Sequence, residues 1–292
     1  MTKPVVVGLD GSPSSLDAVA AAAHEAALRG TQLRLVHAFG APPLHALAGG
    51  PAWNPAAAGV RELLDGTLTA AERRAHEVAA GIDIARDVTV GDPLTVLEIA
   101  SRTSALVVVG SRGLNAFGSL LLGSTAAHLA AHGRCPVLVV RGRRNPAGPV
   151  LLAVDDAPAS EEAVRFAFAE ASLRGADLNA LHVCRTGSPD SYDGPADPPF
   201  VTSSENHLRE HAEQVLKDAL SGPQERHPHV TVRRMPLVGR VRHTLVEASA
   251  DARLVVAGAR GRGGFTGLLL GSVSQALLHH AHCPVAVVRH RQ

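Results

Sequence analysis

Two glycine patterns stand out for the chemistry they permit. Gly110-Ser-Arg-Gly113 is followed, nine residues later, by Gly123-Ser124, and Gly258-Ala-Arg-Gly261 is followed, nine residues later, by Gly271-Ser272. The shared pattern is G-x2-G-x9-G-S. A glycine loop lets main-chain N–H groups approach phosphate oxygens with no Cβ in the way. The second glycine opens a helix, whose free N–H groups and dipole favour an anion. A serine hydroxyl adds one more hydrogen bond. Together these parts make a polyphosphate cradle that needs no lysine. The bland alternative is a turn after a strand and a cap before a helix. Two copies with the same spacing favour the cradle, although a duplication would carry the pattern along.

Other side chains fall near the same places. Asp10 and Asp155 follow the first strand of each half, in Gly8-Leu-Asp-Gly11-Ser and Ala153-Val-Asp-Asp156-Ala. Each can hold a ribose hydroxyl or a cation such as Mg2+ beside phosphates, or can serve as a cap or turn residue. Arg112 and Arg260 sit inside the glycine loops and either pair with phosphate or stay solvated. His37 and His182 end the second strands and read as packed, hydrogen-bonded histidines. His128-x3-His132 shares one helix face but faces Ala276 in the other half, and His279-His280-Ala-His282 has no counterpart; both read as surface histidines. Cys135, Cys184 and Cys283 read as packed thiols. The only lysines are Lys3 and Lys217, so no Walker loop exists, and neither G-x-G-x-x-G nor G-x-S-x-G occurs.

The elements that would position these residues occur twice. Val5-Val-Val-Gly-Leu-Asp10 returns as Val150-Leu-Leu-Ala-Val-Asp155, Glu25-Ala-Ala-Leu-Arg-Gly30 as Glu170-Ala-Ser-Leu-Arg-Gly175, and Leu35-Val-His37 as Ala180-Leu-His182, all offset by 145. The glycines and Cys135-Pro-Val137 return at an offset of 148. One net insertion of three residues between 183 and 257 reconciles the offsets, so a domain of ~145 residues is duplicated. The linker is Gly142-Arg-Arg-Asn-Pro-Ala-Gly-Pro149, which gives domains 1–143 and 149–292.

Each half alternates strand and helix. In the first, strands are expected at 4–9, 32–38, 82–90, 105–109 and 136–141, and helices at 14–29, 62–80, 93–102 and 124–131. Loops rich in Pro, Gly and Ala occupy 39–59 and 185–203, with Trp53 and Tyr192 as aromatic anchors. Apolar runs such as Leu106-Val-Val-Val109 are buried on both faces, as in a parallel sheet covered by helices. The expected fold is α/β, an open doubly wound five-stranded parallel sheet present twice. A ligand then belongs outside the carboxyl ends of the strands, at the switch point.

Composition excludes several classes. Among 292 residues, Lys plus Arg total 28 and Asp plus Glu 27, a net charge of +1. A generic polyanion binder needs clustered cations. Aromatic residues make up 3%, too few for base-stacking platforms, while 46% hydrophobic residues can fill a large aliphatic core. Three cysteines give no disulfide framework, and no run reaches the ~18 apolar residues of a membrane span. Met1-Thr2-Lys3-Pro4 does not read as a signal peptide. The expectation is a cytoplasmic, two-domain protein.

Val-Gly-Leu-Asp10-Gly-Ser12 after an N-terminal strand, Leu35-Val-His37, and G-x2-G-x9-G-S with Cys-Pro-Val before the last strand resemble the universal stress protein family. The resemblance spans both halves and points to the tandem, ATP-binding type. It implies a Rossmann-like fold, akin to that of the adenine nucleotide α-hydrolases, with strand order 3-2-1-4-5. It implies ATP, with Mg2+, as ligand. It sets Asp10 and Asp155, with the preceding Gly8 and Ala153, near ribose and adenine. Ala38 and Val183 would meet adenine through backbone, and Val109 and Ala257 would line the base or ribose. Phosphates and ribose would lie on Gly110, Arg112, Gly113, Gly123 and Ser124, and on Gly258, Arg260, Gly261, Gly271 and Ser272. Thr125 and Val273 would add backbone contacts. The second half departs from the usual Asp-Gly-Ser, with Asp155-Asp156-Ala157. The implied role is a nucleotide-responsive stress regulator rather than an enzyme, with the two domains as a pseudo-dimer that associates into a homodimer. The alternative is a slow ATPase or nucleotidyl transferase on the same fold.

Overall fold

The computed structural model describes residues 2–39, 58–113, 122–143, 145–155, 160–185, 205–261 and 269–290. Trp53, Tyr192, Asp156 and Ala157 lie outside the described residues. The chain divides into two compact units, Met1–Arg141 with Val285–Arg291, and Gly142–Pro284. Ten strands, in a mixed sheet, lie among the described residues.

The first unit contains β1 (Val5–Leu9), α1 (Pro13–Arg29), β2 (Leu33–Phe39), α2 (Ala58–Val78), β3 (Ile84–Val90), α3 (Pro93–Ser101), β4 (Leu106–Gly110), α4 (Ser124–His132) and β5 (Val137–Val140). Its parallel strands run in the order β3-β2-β1-β4-β5. Val5 pairs with Leu33 on one side and Leu106 on the other. β1 and β4 are apolar on both faces because helices cover both; Val5, Val6, Val7, Val107 and Val108 are fully buried. The chain leaves β1 toward β2 on one side and returns from β3 to β4 on the other. That reversal opens a crevice at the carboxyl ends of β1 and β4.

The second unit contains β6 (Val150–Ala153), α5 (Ser160–Arg174), β7 (Leu178–Cys184), α6 (Glu205–Arg226), β8 (Val232–Val238), α7 (Val241–Ala248), β9 (Leu254–Gly258) and α8 (Ser272–His280). Here β6 lies between β7 and β9, and β8 flanks β7, all parallel. The Val255 N–H donates to Pro284 O at 2.9 Å, as Val107 N–H donates to Pro136 O at 3.1 Å. The approach to the last strand therefore keeps the register of the first half.

That last strand, β10 (Val285–Val288), corrects the expected fold. It pairs antiparallel with β5, Val285 opposite Val139 and Val287 opposite Val137, within the first unit. The order 3-2-1-4-5 holds in the first unit, but two separate, wholly parallel five-stranded sheets are not what forms. The reason is edge chemistry. Both final strands are short and apolar, and an exposed apolar edge leaves its N–H and C=O groups open to pairing. Each satisfies the other.

Local sequence explains the helix boundaries beside the crevice. Ser12 caps α1 by accepting the Ser15 N–H at 3.1 Å, with Pro13 at the first helical position. Gly30, in the left-handed region at φ 58°, ends it. Asp92 caps α3 in the same way through Thr95, again before a proline. The linker is held rather than free. Arg253 Nε donates to Gly148 O at 2.5 Å and its Nη2 donates to Pro146 O. Asn145 Nδ2 donates to Asp251 O at 2.9 Å.

Candidate functional site

The crevice of the first unit is built by three close backbone approaches. β1 delivers Asp10 just past its end. Asp10 Oδ1 accepts the Ser12 N–H at 3.0 Å, a turn bond that fixes the side chain. Its other oxygen, Oδ2, lies 2.8 Å from where a Cβ on Gly113 would stand. β4 delivers Gly110, whose missing Cβ would collide with Ser14 at the start of α1. The Ser14 Oγ also accepts the Arg112 N–H, at 3.4 Å. Gly123 closes the loop, its N–H donating to Ser111 O at 2.8 Å.

Gly123 is then the N-cap of α4, with no side-chain cap bond. A helix leaves its first N–H groups without intrahelical partners. Those of α4 point from a residue that offers no side chain to take them. Ser124 is exposed and Thr125 half-buried at this mouth.

The second unit repeats the arrangement. A Cβ on Gly261 would collide with the Asp155 carboxylate through Oδ2. Gly271 N–H donates to Ala259 O at 2.8 Å, and Gly271 is the N-cap of α8, again without a side-chain cap. The missing Cβ of Gly271 would stand 3.5 Å from Gly261 N, so the two glycines face each other across the cradle. Ser274 Oγ donates to a carbonyl here, 3.0 Å from Ala259 O and 2.9 Å from Gly271 O, and ties the first turn of α8 to the end of β9. Ser14 was not singled out from sequence, and Ser274 only as part of the family-like Val273-Ser274 that stands where the first half has Thr125-Ala126.

The remaining predicted residues fall around these cradles. A Cβ on Gly8 would stand 2.8 Å from Leu97 Cδ1 of α3 and 3.4 Å from Val109 Cγ1. Ala38 is half-buried on β2, while Val109, Val183 and Ala257 are buried at the ends of β4, β7 and β9. Ala153 ends β6, paired with Leu181 and Ala257. Gly258 ends β9. Arg112, Arg260 and Ser272 are exposed, and Val273 is half-buried. Both arginines are thus free to swing over an anion or into solvent.

The histidines at the second strands differ. His182 is buried, and its Nδ1 lies 2.9 Å from Val154 O. His37 occupies the equivalent place beside Leu9, and its Nδ1 is buried without a hydrogen bond. Burial pushes the His37 imidazole below its ordinary pKa, opposed by the charge of Asp10 and by the Leu9 carbonyl. His128 lies 3.1 Å from Glu98 and stacks on His132 at 4.3 Å between ring centres. Among the described residues no three His, Cys, Asp or Glu side chains come together to hold a metal. The three cysteines are buried.

A cleft of about 800 Å³ lies at the opposite, amino edge of the first unit's strands, lined by Lys3, Gln32, Asp83 and Thr103 among others. Its polar groups partner one another, Gln32 Nε2 donating to Asp83 Oδ2 at 2.8 Å and Thr31 Oγ1 to Lys3 O at 2.9 Å. Size alone does not make it the site. The converging bare glycines, carboxylates and uncapped helices lie at the other edge.

A doubly wound α/β fold with a glycine-lined crevice at the switch point defines a class that holds anionic ligands on backbone. The sequence pattern of the Universal stress protein family matches residues 1–141 and again 147–289. The chain belongs to the universal stress protein family, with two such domains in tandem. A universal stress protein of Mycolicibacterium smegmatis is 38% identical over 298 residues, covering 98% of this chain and 97% of that relative. One of Mycobacterium tuberculosis is 36% identical over 307 residues, covering 98% of this chain and 94% of its own. The crystal structure of a universal stress protein from Archaeoglobus fulgidus shares the fold at a TM-score of 0.69, with 16% identity and 99% of both chains covered. No helix among the described residues is long and apolar enough to cross a membrane.

Proposed function

We propose that the protein is an ATP-binding universal stress protein with one nucleotide site in each half, acting as a nucleotide-responsive regulator of the stress response. The observation that carries this reading is the pair of crevices in which a carboxylate presses on a side-chain-free glycine beside an uncapped helix. The first supports a grip on ribose hydroxyls through Asp10 or Asp155. The second supports a grip on phosphates through main-chain N–H groups at Gly113, Gly123 and Ser124, and at Gly261, Gly271 and Ser272. Adenine would lie toward Ala38 and Val109, or Val183 and Ala257. Mg2+ would arrive on the phosphates beside Asp10 or Asp155.

The same reading makes the protein a cytoplasmic homodimer that holds its nucleotide rather than turning it over. Mass spectrometry of small molecules released from the freshly purified protein tests the proposal. Adenine nucleotide near two equivalents per chain is expected; none, together with no heat on titration with ATP, would refute it. Sustained hydrolysis at ~1 s⁻¹ or faster, the ordinary enzymatic range, would replace the regulator by an ATPase.

A further inference from the structure

We infer that His182 is a positioning residue of the second-half site: its imidazole holds the carbonyl that precedes Asp155 and thereby aims the carboxylate at the crevice. The inference rests on the nucleotide reading above and goes beyond it, because no ligand contact is assigned to His182 itself.

The argument begins with a difference between the two halves. In the first, the backbone ladder between β1 and β2 runs from Val5 opposite Leu33 to Leu9 opposite His37, one residue short of Asp10. There the ladder reaches the residue just before Asp10, and the Ser12 N–H holds the carboxylate. In the second, β6 is one residue shorter than β1, and its ladder with β7 stops at Ala153 opposite Leu181. Asp155 therefore stands two residues beyond the last paired residue. The intervening Val154 is secured in two other ways. Its N–H donates to Leu181 O at 2.8 Å. Its carbonyl accepts from His182 Nδ1 at 2.9 Å. A side chain has taken the place of the missing ladder position.

The chemistry of the contact is restrictive. A carbonyl oxygen only accepts, so Nδ1 must carry the proton. The ring cannot easily turn away, because His182 is only 9% exposed and meets His211 of α6 edge-on, at 6.3 Å between ring centres. The Val154–Asp155 peptide plane is thus fixed from its oxygen, and with it the direction in which the Asp155 side chain leaves the backbone. That side chain ends against Gly261. His37 faces the matching carbonyl, that of Leu9, but its Nδ1 does not reach hydrogen-bond geometry there.

Two measurements test this. Nitrogen-15 NMR of the imidazoles reads the tautomer without any nucleotide. A His182 ring protonated on Nδ1 is expected, and protonation on Nε2 alone overturns the inference. The second measurement uses Gly113→Glu protein, which keeps only the second-half cradle, and calorimetric titration with ATP and with inorganic tripolyphosphate. Removing the donor with His182→Leu should weaken ATP about tenfold, the cost of one buried hydrogen bond. It should leave tripolyphosphate within about twofold, since the glycines and not Asp155 hold that ligand. His182→Asn, which restores a donor of similar reach, should recover most of the ATP affinity. Equal losses for both ligands would mean a merely structural residue and overturn the inference, as would unchanged ATP binding. If the His182-containing parent binds neither ligand, the nucleotide reading fails and the inference falls with it, a pattern distinct from the others.

Discussion

Gly113 and Gly261 show how much one hydrogen in place of a methyl group decides. Each sits where a Cβ would meet an aspartate oxygen at less than 3 Å, closer than real side chains approach. The aspartate would have to move. For Asp10 that means giving up the bond from the Ser12 N–H. Gly113→Ala and Gly261→Ala are expected to weaken nucleotide binding at their own crevice by about tenfold, or about 1.4 kcal/mol, measured by titration calorimetry. Gly261→Ala should be the worse, because its overlap with Asp155 is the tighter. Gly110 carries a different constraint: its missing side chain makes room for Ser14, so its substitution should cost fold stability before it costs binding.

His37 adds a dependence on pH. Its folded pKa is lowered by burial, against the pull of Asp10 and the Leu9 carbonyl. The unfolded chain then binds a proton that the folded one resists. Stability is full above about pH 6.5, the unfolded value, and falls as pH drops through the lower folded value. Urea unfolding at pH 7.5 and 5.5 should show this loss for the native chain. His37→Asn should flatten it; an unchanged slope would assign the loss to other groups.

At the scale of elements, the repeat Glu-Ala-x-Leu-Arg-Gly was visible in the sequence, but its meaning was not. In both α1 and α5 it forms an i,i+4 ion pair on a helix face turned inward, Glu25 with Arg29 and Glu170 with Arg174. Glu170 is 2% exposed and Arg174 7%. Spacing alone suggests a solvated surface pair of small worth; only packing shows that it is buried. Removing the Glu170 carboxylate takes its ion-pair partner from a buried guanidinium, so Glu170→Ala should destabilise the fold by about 3 kcal/mol, seen as a lower urea midpoint. A loss under 1 kcal/mol would mean that the remaining partners of Arg174 or water offset the lost pair. Helix boundaries, by contrast, were legible because they follow from local chemistry. Ser12-Pro13, Asp92-Pro93 and Gly30 set them, and residues 14–29 were expected where Pro13–Arg29 is found. Strand number per sheet was not legible. That the apolar final strands, 136–141 and 284–289, could pair within or between chains was legible; that Val285-Ala-Val-Val288 runs antiparallel to β5 joins edges far apart in sequence, and no local pattern encodes it. The crevices were legible for the opposite reason: backbone cradles need glycine at fixed spacing, and glycine leaves a mark.

For the whole molecule, duplication poses the question of whether two crevices remain two sites. Their parts are the same, but their surroundings are not. Asp10 is delivered by a complete β-ladder and Asp155 by a shorter one supplemented by His182. Counting nucleotides per chain answers the question directly. Gly113→Glu and Gly261→Glu place a carboxylate among the main-chain N–H groups proposed to hold phosphate, so each should lower the stoichiometry from two to one, and the double variant to none. Scanning calorimetry gives a second view of the same event. A ligand bound only to the folded state, at about 100 times its Kd, stabilises it by about 2.7 kcal/mol. Because each unit has its own core, that gain should appear in the unit that keeps its cradle and vanish from the one that lost it. Were the double variant still to bind two nucleotides, or were either single variant to lose both, the crevices would not be the two independent sites proposed.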